Sequence, residues 1–229
     1  MWYFRAVHGH VARALGEPQP GRRVLDAGCG TGGLMRRLGG WEGTGVDVEP
    51  AACALARERT GAEIVEASLA ALPWAEATFD AVTSVDVLYH IEDDVGALRE
   101  MVRVLRPGGR VVINVPAYPW LWSYHDEAVH SVRRYGRREV ADKLRAAGLA
   151  EVRTTHWNMI PLPLVVVRRK LWPAPRGGSD VAVQPPAVEA IFRGLMDLEA
   201  AWLRRGRTLP AGSSIFAVAR KPAGREGVE

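Results

Sequence analysis

A glycine-rich segment, Asp26–Gly33, contains the residue types that most clearly indicate chemistry in this sequence. It follows a short apolar run, Val24–Ala27, that predicts a strand. Glycines at the end of a strand let the backbone approach a ligand, and the next helix N-terminus offers free amide donors. Asp47 ends the next apolar run, where its carboxylate can accept both hydroxyls of a ribose. The spacing predicts a nucleoside-binding crevice.

The same glycines are compatible with more than one nucleoside ligand. Gly28, Gly30 and Gly33 satisfy the G-x-G-x-x-G fingerprint of dinucleotide sites, so spacing alone does not exclude an NAD-dependent oxidoreductase. Asp26 lies inside the turn, where it is a poor neighbour for a pyrophosphate and a good one for an ammonium group. Gly32 adds a glycine that a pyrophosphate site does not require. These two features favour a ligand with an ammonium group over one with a pyrophosphate.

The elements that must position these residues alternate between strand and helix from Arg22 to about Ala150, which predicts a parallel sheet with helices on its faces. The predicted strands are Val24–Ala27, Gly43–Val48, Glu63–Glu66, Phe79–Ser84, Arg110–Val115, Glu151–Trp157 and Ser214–Ala219. The predicted helices are Gly32–Leu38, Pro50–Arg59, Asp94–Arg106, Arg137–Ala147 and Ala187–Arg205.

Five motifs in order resemble those of the class I S-adenosylmethionine-dependent methyltransferases. The resembling segments are Val24–Gly33 (motif I), Gly45–Pro50 (motif II), Leu72–Val82 and Asp86–His90 (the approach to motif IV and its end), and Leu105–Gly109. The resemblance covers about residues 20–150. It implies an α/β fold: a Rossmann-like seven-stranded, mostly parallel sheet with helices on both faces, the last strand antiparallel, and a helical insertion between strands six and seven.

A narrower resemblance, to a type 11-like subgroup, extends beyond that core. Its segments are Trp2–Arg5 ("W-W-F-R"), Val115–Glu127 ("V-P-A-x-x-x-L-W-S-x-H-D-E") and Arg133–Tyr135 ("R-R-Y"). The subgroup implies a small-molecule acceptor, glycan-like, lipid-like or a secondary metabolite, that is O- or N-methylated by in-line displacement. Use of the same cofactor for cyclisation or another alkyl transfer stays open, as does the oxidoreductase.

The resemblance implies S-adenosyl-L-methionine as cofactor and a set of residues around it. Asp47 would hold the ribose and Val48 the adenine, and Phe4 and Arg5 would form a lid. The implied cofactor-binding residues are Phe4, Arg5, Asp26, Gly28, Cys29, Gly30, Asp47, Val48, Ser68, Leu69, Asp86 and Val87.

The acceptor site is expected after strand four and in the aromatic loop 118–135. His90 is the first candidate for a general base, with Tyr89 and His125 as further catalytic candidates. The implied substrate-binding residues are Tyr118, Trp122, His125, Asp126, His130, Arg133, Arg134 and Tyr135. The reaction requires no metal, and no metal site is assigned.

Length and composition predict one domain over residues 1–221: an N-terminal lid or helix (1–20), the cofactor-binding core (22–157) and an insertion (158–212) that caps the substrate or forms a dimer contact. A disordered tail (222–229) follows. The 30 basic and 26 acidic residues are too balanced to indicate a nucleic-acid partner. Two cysteines exclude a disulfide framework or a tetrahedral zinc site built from cysteines.

The N-terminus lacks the pattern of a signal peptide, so a cytoplasmic location is expected. The apolar stretch Met159–Val167 is far too short to span a bilayer. Trp157 and Trp172 flank it and basic residues follow, a pattern compatible with weak contact at a membrane surface. A homodimer is left open.

Overall fold

The structure, a computed structural model, describes residues 1–171 and 184–223 and contains a seven-stranded sheet of order β3-β2-β1-β4-β5-β7-β6. The strands are β1 (Arg23–Ala27), β2 (Glu42–Asp47), β3 (Glu63–Glu66), β4 (Phe79–Val85), β5 (Leu105–Pro116), β6 (Ala150–Trp157) and β7 (Ser214–Arg220). The α-helices are α1 (Trp2–Leu15), α2 (Pro50–Thr60), α3 (Asp94–Val104), α4 (Tyr124–Ala128), α5 (Arg137–Ala146), α6 (Leu162–Val166) and α7 (Pro186–Arg204).

Strand directions place the glycine segment at a topological switch point. β1 to β5 are mutually parallel, and β7 runs antiparallel to both β5 and β6. The strand order reverses between β1 and β4, where a crevice forms at the carboxyl ends of the strands. The expected Rossmann-like sheet with an antiparallel last strand is therefore confirmed.

The core beneath this edge is built from apolar strands and one stripe of α3. Leu25 and Val82 on neighbouring strands are fully buried, and they share a cluster with Leu98 and Met101 of α3. The side chain of Asp93 caps α3 by accepting from the amide of Gly96 at 2.8 Å. Burial of this stripe fixes the helix against the sheet and so fixes the strand ends that carry the site.

Two sequence-based boundaries differ from the structure. The helix expected over 32–38 is only a short 3-10 turn at Met35–Arg37, because Gly32 adopts φ 77°, which an α-helix does not use. The helix expected to end at Arg106 ends at Val104, and β5 begins at Leu105, so the predicted turn before strand five lies inside the strand.

The N-terminal segment is a helix that packs against α7. Trp2 stacks on Phe192 with ring centroids 4.9 Å apart, and its backbone amide donates to Glu189 Oε2 at 2.7 Å. Glu199 of α7 is buried and accepts from the amides of Asn158 and Ile160. The insertion is thereby tied to the sheet and to α1.

The expected weak contact with a membrane surface is corrected in part. Trp157 is fully buried and donates from Nε1 to Asn114 Oδ1, so it cannot rest on lipid. Trp172 and residues 224–229 of the predicted tail lie outside the described residues. No helix in the described part of the chain is long and apolar enough to cross a membrane. Ile191, Leu198 and Trp202 of α7 are exposed, and the homodimer stays a prediction.

Candidate functional site

The glycine loop after β1 turns back on β2 and leaves one side open. The amides of Gly28 and Cys29 both donate to the carbonyl of Val46, at 2.8 and 2.9 Å. Gly28 has φ 84°, and a side chain there would collide with Val87, so close packing of the two loops requires glycine. At Gly30 no described atom lies within 4 Å of where a Cβ would stand. The loop at Gly30 therefore faces open space.

Asp47 is held at the mouth of this loop by two backbone amides. Its Oδ2 accepts from Gly30 at 2.8 Å, and its Oδ1 accepts from Glu49 at 3.1 Å. A carboxylate has about four lone-pair sites, so both oxygens can accept further hydrogen bonds. The residue that the sequence assigned to a ribose is thus oriented by the glycine loop itself.

Neighbouring residues of the predicted cofactor set have different surroundings. Val48 is 65% exposed at the strand edge, and Ser68 is exposed with its Oγ accepting from the amide of Ala70. Leu69 is buried in the core, so its side chain is not offered to the crevice. The Cys29 side chain packs in a separate apolar cluster, and burial raises the pKa of its thiol to about 12. For Cys29, only the backbone borders the loop.

Asp26 lies beneath the loop as a buried carboxyl. Thr83 Oγ1 donates to its Oδ1 at 3.0 Å. Burial, and to a lesser extent the negative charge of Asp47, raises the pKa of Asp26 to about 7, against the lowering effect of the Thr83 hydrogen bond. Asp26 can therefore respond to a positive charge brought close to it.

Asp86 directly follows β4 in a strained backbone conformation and joins a buried polar network. Its φ is 58°, and its carboxylate accepts from Asn114 Nδ2 at 2.7 Å and from the Tyr3 hydroxyl at 3.0 Å. The other amide atom of Asn114 accepts from Trp157 Nε1 at 2.6 Å. Burial raises the pKa of Asp86 to about 6, although both hydrogen bonds act to lower it. The network links α1, β4, β5 and β6 at the crevice.

The N-terminal helix contributes a different residue from those expected. Phe4 is 39% exposed, its ring meeting Tyr3 edge-on and tilted against His8. Arg5 is exposed on the same helix. Neither has a described contact with the glycine loop, whereas Tyr3 reaches Asp86. The lid role of Phe4 and Arg5 stays a prediction.

His90 and His130 come together although 40 residues separate them. His90 is exposed in a 3-10 turn after β4, and its Nδ1 lies 3.2 Å from the carbonyl of His130. A neutral His90 that donates from Nδ1 carries its free lone pair on Nε2. The Val132 amide donates to the Tyr89 carbonyl at 2.8 Å, which fixes the same two segments together. The arrangement can orient His90 as a proton acceptor.

Tyr89 is half-buried beside His90, with ring centroids 4.1 Å apart. Burial and the nearby charge of Asp86 raise the pKa of Tyr89 well above its usual value. It therefore remains a neutral phenol and cannot act as a base near neutral pH. Its catalytic assignment stays a prediction, and in this structure the Tyr89 ring packs beside His90.

The aromatic loop after β5 is more ordered than a plain binding loop. Tyr118 has φ 63° and stacks on His156 with ring centroids 5.1 Å apart. Trp122 is half-buried, and its carbonyl accepts from Lys170 Nζ at 2.9 Å. His125 is half-buried on the short helix α4. These three side chains keep their sequence-based assignment to the acceptor region as a prediction.

Asp126 and Arg134 were expected to bind the acceptor, but they instead form an ion pair with each other and hydrogen bonds within the loop. Arg134 Nε lies 2.6 Å from Asp126 Oδ1, and both side chains are almost fully buried. The second Asp126 oxygen accepts from the amide of Ser123 at 2.9 Å, and Arg134 also donates to the carbonyl of Ala117. Their charges are neutralised inside the loop, and this corrects the sequence-based assignment.

Arg133 and Tyr135 also face inward, towards Asp94. The Tyr135 hydroxyl lies 2.8 Å from Asp94 Oδ2 and is buried. Arg133 lies 3.4 Å from the same oxygen and donates to the carbonyl of Glu92. Together with Lys143, which is 2.8 Å from Asp94, they fix the loop to α3. Tyr135 is thereby corrected to a buried structural residue, whereas the Arg133 side chain is 29% exposed and its acceptor assignment stays a prediction. Among the described residues, no group of three or more histidine, cysteine or acidic side chains could hold a metal ion.

Known proteins resemble this chain in the region that contains the site. Residues 25–113 match the family model described as a methyltransferase domain. Over this segment the chain is similar to methyltransferases. The matched residues run from β1 into β5 and so contain the glycine loop, Asp47 and His90.

Curated relatives match part of the chain. A malonyl-(acyl-carrier protein) O-methyltransferase of Enterobacter lignolyticus is 36% identical over 129 residues, which is 52% of this chain and 51% of the relative. A ubiquinone biosynthesis O-methyltransferase of Alkalilimnicola ehrlichii is 36% identical over 115 residues, 46% of this chain and 45% of the relative. The chain thus spans about half the length of these relatives.

Solved structures share the fold of this chain over nearly its whole length. The YcgJ protein of Bacillus subtilis has a TM-score of 0.66 at 20% identity and covers 95% of this chain and 98% of its own. Phosphoethanolamine N-methyltransferase 2 of Haemonchus contortus, solved with S-adenosyl-L-methionine, has a TM-score of 0.65 at 17% identity, covering 94% of this chain and 52% of its own.

Sequence reasoning missed three polar residues that lie at the crevice. Tyr3 adjoins the two residues singled out on α1, but nothing local indicates which side chain points at the sheet. Asn114 interrupts the otherwise apolar run of β5, a signal that could have been noticed. Thr83 carries the hydroxyl that orients Asp26.

Proposed function

We propose that this protein binds S-adenosyl-L-methionine and transfers its methyl group to an oxygen or nitrogen of a small-molecule acceptor. The observation that carries the proposal is the Asp47 carboxylate, held on the amide of Gly30 at the mouth of an open glycine loop. This loop lies at the carboxyl edge of β1, where nucleosides bind in this type of sheet.

The residues present fit the three parts of that cofactor. Asp47 has lone pairs left for the ribose hydroxyls. The exposed Val48 side chain offers an apolar surface to the adenine. Asp26, a buried carboxyl with an elevated pKa, suits the charge of the aminoacyl part, whose approach would favour its ionised form. Gly30 leaves room for the ligand because no side chain fills that space.

The bound cofactor supplies an electrophilic methyl group on a positively charged sulfur, and the protein supplies position and a proton acceptor. His90, oriented by the carbonyl of His130, would take the proton from a hydroxyl or ammonium acceptor at Nε2. Val87 packs against Gly28, so the His90 turn and the glycine loop are held side by side. Holding acceptor and donor in line contributes most of the expected acceleration.

A small-molecule acceptor is supported by what encloses the site. Two buried pairs fix the aromatic loop: Asp126 with Arg134 inside the loop, and Tyr135 with Asp94 of α3. A fixed loop favours an acceptor pocket of limited size. The names of the two curated relatives state O-methylation, on different substrates. The acceptor itself is a matter for experiment.

Ligand-induced stabilisation tests the cofactor proposal. S-adenosyl-L-methionine at 100 times its Kd should raise the free energy of unfolding by about 2.7 kcal/mol, and NADH should not. Stabilisation by NADH alone would overturn the proposal and favour the oxidoreductase alternative. In turnover with an accepted substrate, S-adenosylhomocysteine as product indicates methyl transfer, whereas methylthioadenosine indicates another alkyl transfer.

A further inference from the structure

A second pocket lies beside the acceptor loop, on the α5 side of the sheet. It has a volume of about 720 Å³ and is lined by Gly136, Arg137, Arg138, His156, Thr208 and Pro210. No acidic residue lines it, and three of its lining side chains carry hydrogen-bond donors on guanidinium or hydroxyl groups. The pocket is open to solvent and has the chemistry of an anion site.

The two arginines of this pocket differ from the pair that precedes them in sequence. Arg133 pairs with Asp94 of α3, and Arg134 pairs with Asp126 within the loop. Arg137 and Arg138 are exposed in the first turn of α5, and neither forms an ion pair with any residue in the described ranges. Paired, planar guanidinium groups are well suited to the oxygens of a phosphate or carboxylate.

His156 provides an observation independent of the helix terminus. Its side chain is only 6% exposed, it lines the pocket, and its Nδ1 has no hydrogen-bond partner among the described residues. Burial, and then the charge of Arg137, lowers the pKa of His156, against the raising effect of a hydrogen bond between its ring and the backbone of Gly212. A buried polar atom without a partner is unfavourable, and a phosphate can satisfy Nδ1 in either tautomer: a phosphate oxygen accepts when Nδ1 carries the ring proton, and a P–OH group donates when the other ring nitrogen carries it.

The helix N-terminus adds less than its position suggests. The amide of Gly136 already donates to Glu139 Oε2 at 3.1 Å, so a carboxylate occupies part of this terminus. The anion site therefore rests on Arg137, Arg138 and His156. Tyr118 stacks on His156 and leaves β5 at the carboxyl edge of the sheet, so the pocket adjoins the loop expected to hold the acceptor.

We propose that this pocket binds a phosphate group carried by the acceptor, at a distance from the atom that is methylated. The inference rests on the proposed function, because it deepens the acceptor class to phosphorylated small molecules. A phosphate makes more charge-assisted contacts with two guanidinium groups than a single carboxylate does.

Calorimetric titration at low ionic strength tests the pocket directly. Inorganic phosphate, phenyl phosphate and benzoate are titrated into the wild type, the pocket variant Arg137→Gln/Arg138→Gln, and the variant His156→Gln. The matched control is Arg145→Gln/Arg153→Gln, which removes the same charge from exposed positions on α5 and β6. S-adenosyl-L-methionine is titrated into the same samples, so that the cofactor site is assessed separately.

Phenyl phosphate should bind the wild type at least as tightly as inorganic phosphate does. Benzoate should bind more weakly than either phosphate. The pocket variant should lose about tenfold or more in phosphate affinity, His156→Gln a smaller factor, and the control less than about twofold. Affinity for S-adenosyl-L-methionine should be the same in all four proteins.

Three results would overturn the pocket assignment: equal phosphate binding by the pocket variant and the wild type, an equal loss in the control, or inorganic phosphate binding while phenyl phosphate is excluded. Failure of the wild type to bind S-adenosyl-L-methionine would instead overturn the proposed function. The anion affinities come from separate titrations and test the pocket assignment alone.

Discussion

The hydroxyl of Tyr3 lies 3.0 Å from a carboxylate oxygen of Asp86, so the first turn of α1 reaches the end of β4 across 83 residues of sequence. The contact is shared with Asn114, whose amide donates to the other carboxylate oxygen. It makes the N-terminal helix part of the crevice wall, and it explains why a carboxyl with a raised pKa is held in place at a strained backbone position.

Replacing Tyr3 by phenylalanine should raise the pKa of Asp86 above its present value of about 6, because the hydroxyl stabilises the ionised carboxylate. Carboxyl carbon NMR shifts across pH measure this directly. The free energy of unfolding of the variant should also be lower than that of the wild type, by about 1.5–3 kcal/mol at pH 8. The difference should be smaller at pH 5, where Asp86 is protonated. An unchanged pKa of Asp86 would show that the Tyr3 hydroxyl does not stabilise the ionised carboxylate.

Replacing His90 by glutamine should lower kcat by about 10²–10⁴ for a hydroxyl acceptor, because the proton acceptor is lost. Affinity for S-adenosyl-L-methionine, measured by calorimetry on the same sample, should not change. The split between kcat and cofactor affinity distinguishes a base from a fold-supporting residue. Full turnover by His90→Gln would remove His90 from the chemistry and leave the cofactor proposal intact.

Arg134→Met should destabilise the protein by about 3 kcal/mol, because it leaves the Asp126 carboxylate buried without its closest partner. Arg145→Met is the matched control: its pair with Asp142 is exposed, so its replacement should change stability by less than about 0.5 kcal/mol. Urea unfolding measures both. If Arg134→Met were fully stable and lost only acceptor affinity, the sequence-based substrate role of Arg134 would be restored.

Acid should weaken the docking of α1 through His10. Burial lowers the pKa of His10 from 6.5 to about 4, so the folded state prefers the neutral ring. Stability from this preference is present above pH 6.5 and is lost as pH falls through 4, by about 2 kcal/mol between pH 7.5 and 4.5.

The comparison for this prediction is His10→Gln, which cannot titrate. The difference in unfolding free energy between the wild type and His10→Gln should favour the wild type less at pH 4.5 than at pH 7.5. Carboxyl titrations common to both proteins cancel in the difference. A pH-independent difference would mean that His10 is charged or solvated in the folded state.

The sequence predicted those parts of the molecule that local pattern controls. Val24–Ala27, the glycine loop and the apolar stripe of α3 follow from periodicity and residue type within a few turns of chain. The helix expected at 32–38 failed because the left-handed φ of Gly32 cannot be read from its identity alone.

The inward-facing charges could not be predicted because burial depends on the whole fold. Arg133 and Arg134 have the residue types of an anion site, yet their partners Asp94 and Asp126 lie 39 and 8 residues away in sequence. Arg137 and Arg138 stand four residues after that pair and are the same residue type, but both are exposed and neither forms an ion pair with a described residue. Only the packing of the loop on α3 separates the two pairs.

Calorimetric titration of S-adenosyl-L-methionine into the wild type and Asp47→Asn tests the central claim most directly. Asp47 is predicted to accept the ribose hydroxyls while the Gly30 amide orients it. The wild type should therefore bind saturably, and Asp47→Asn should bind about 10–100-fold more weakly, since a charge-assisted pair of hydrogen bonds contributes about 1.5–3 kcal/mol. Equal affinity in the two proteins would contradict the account.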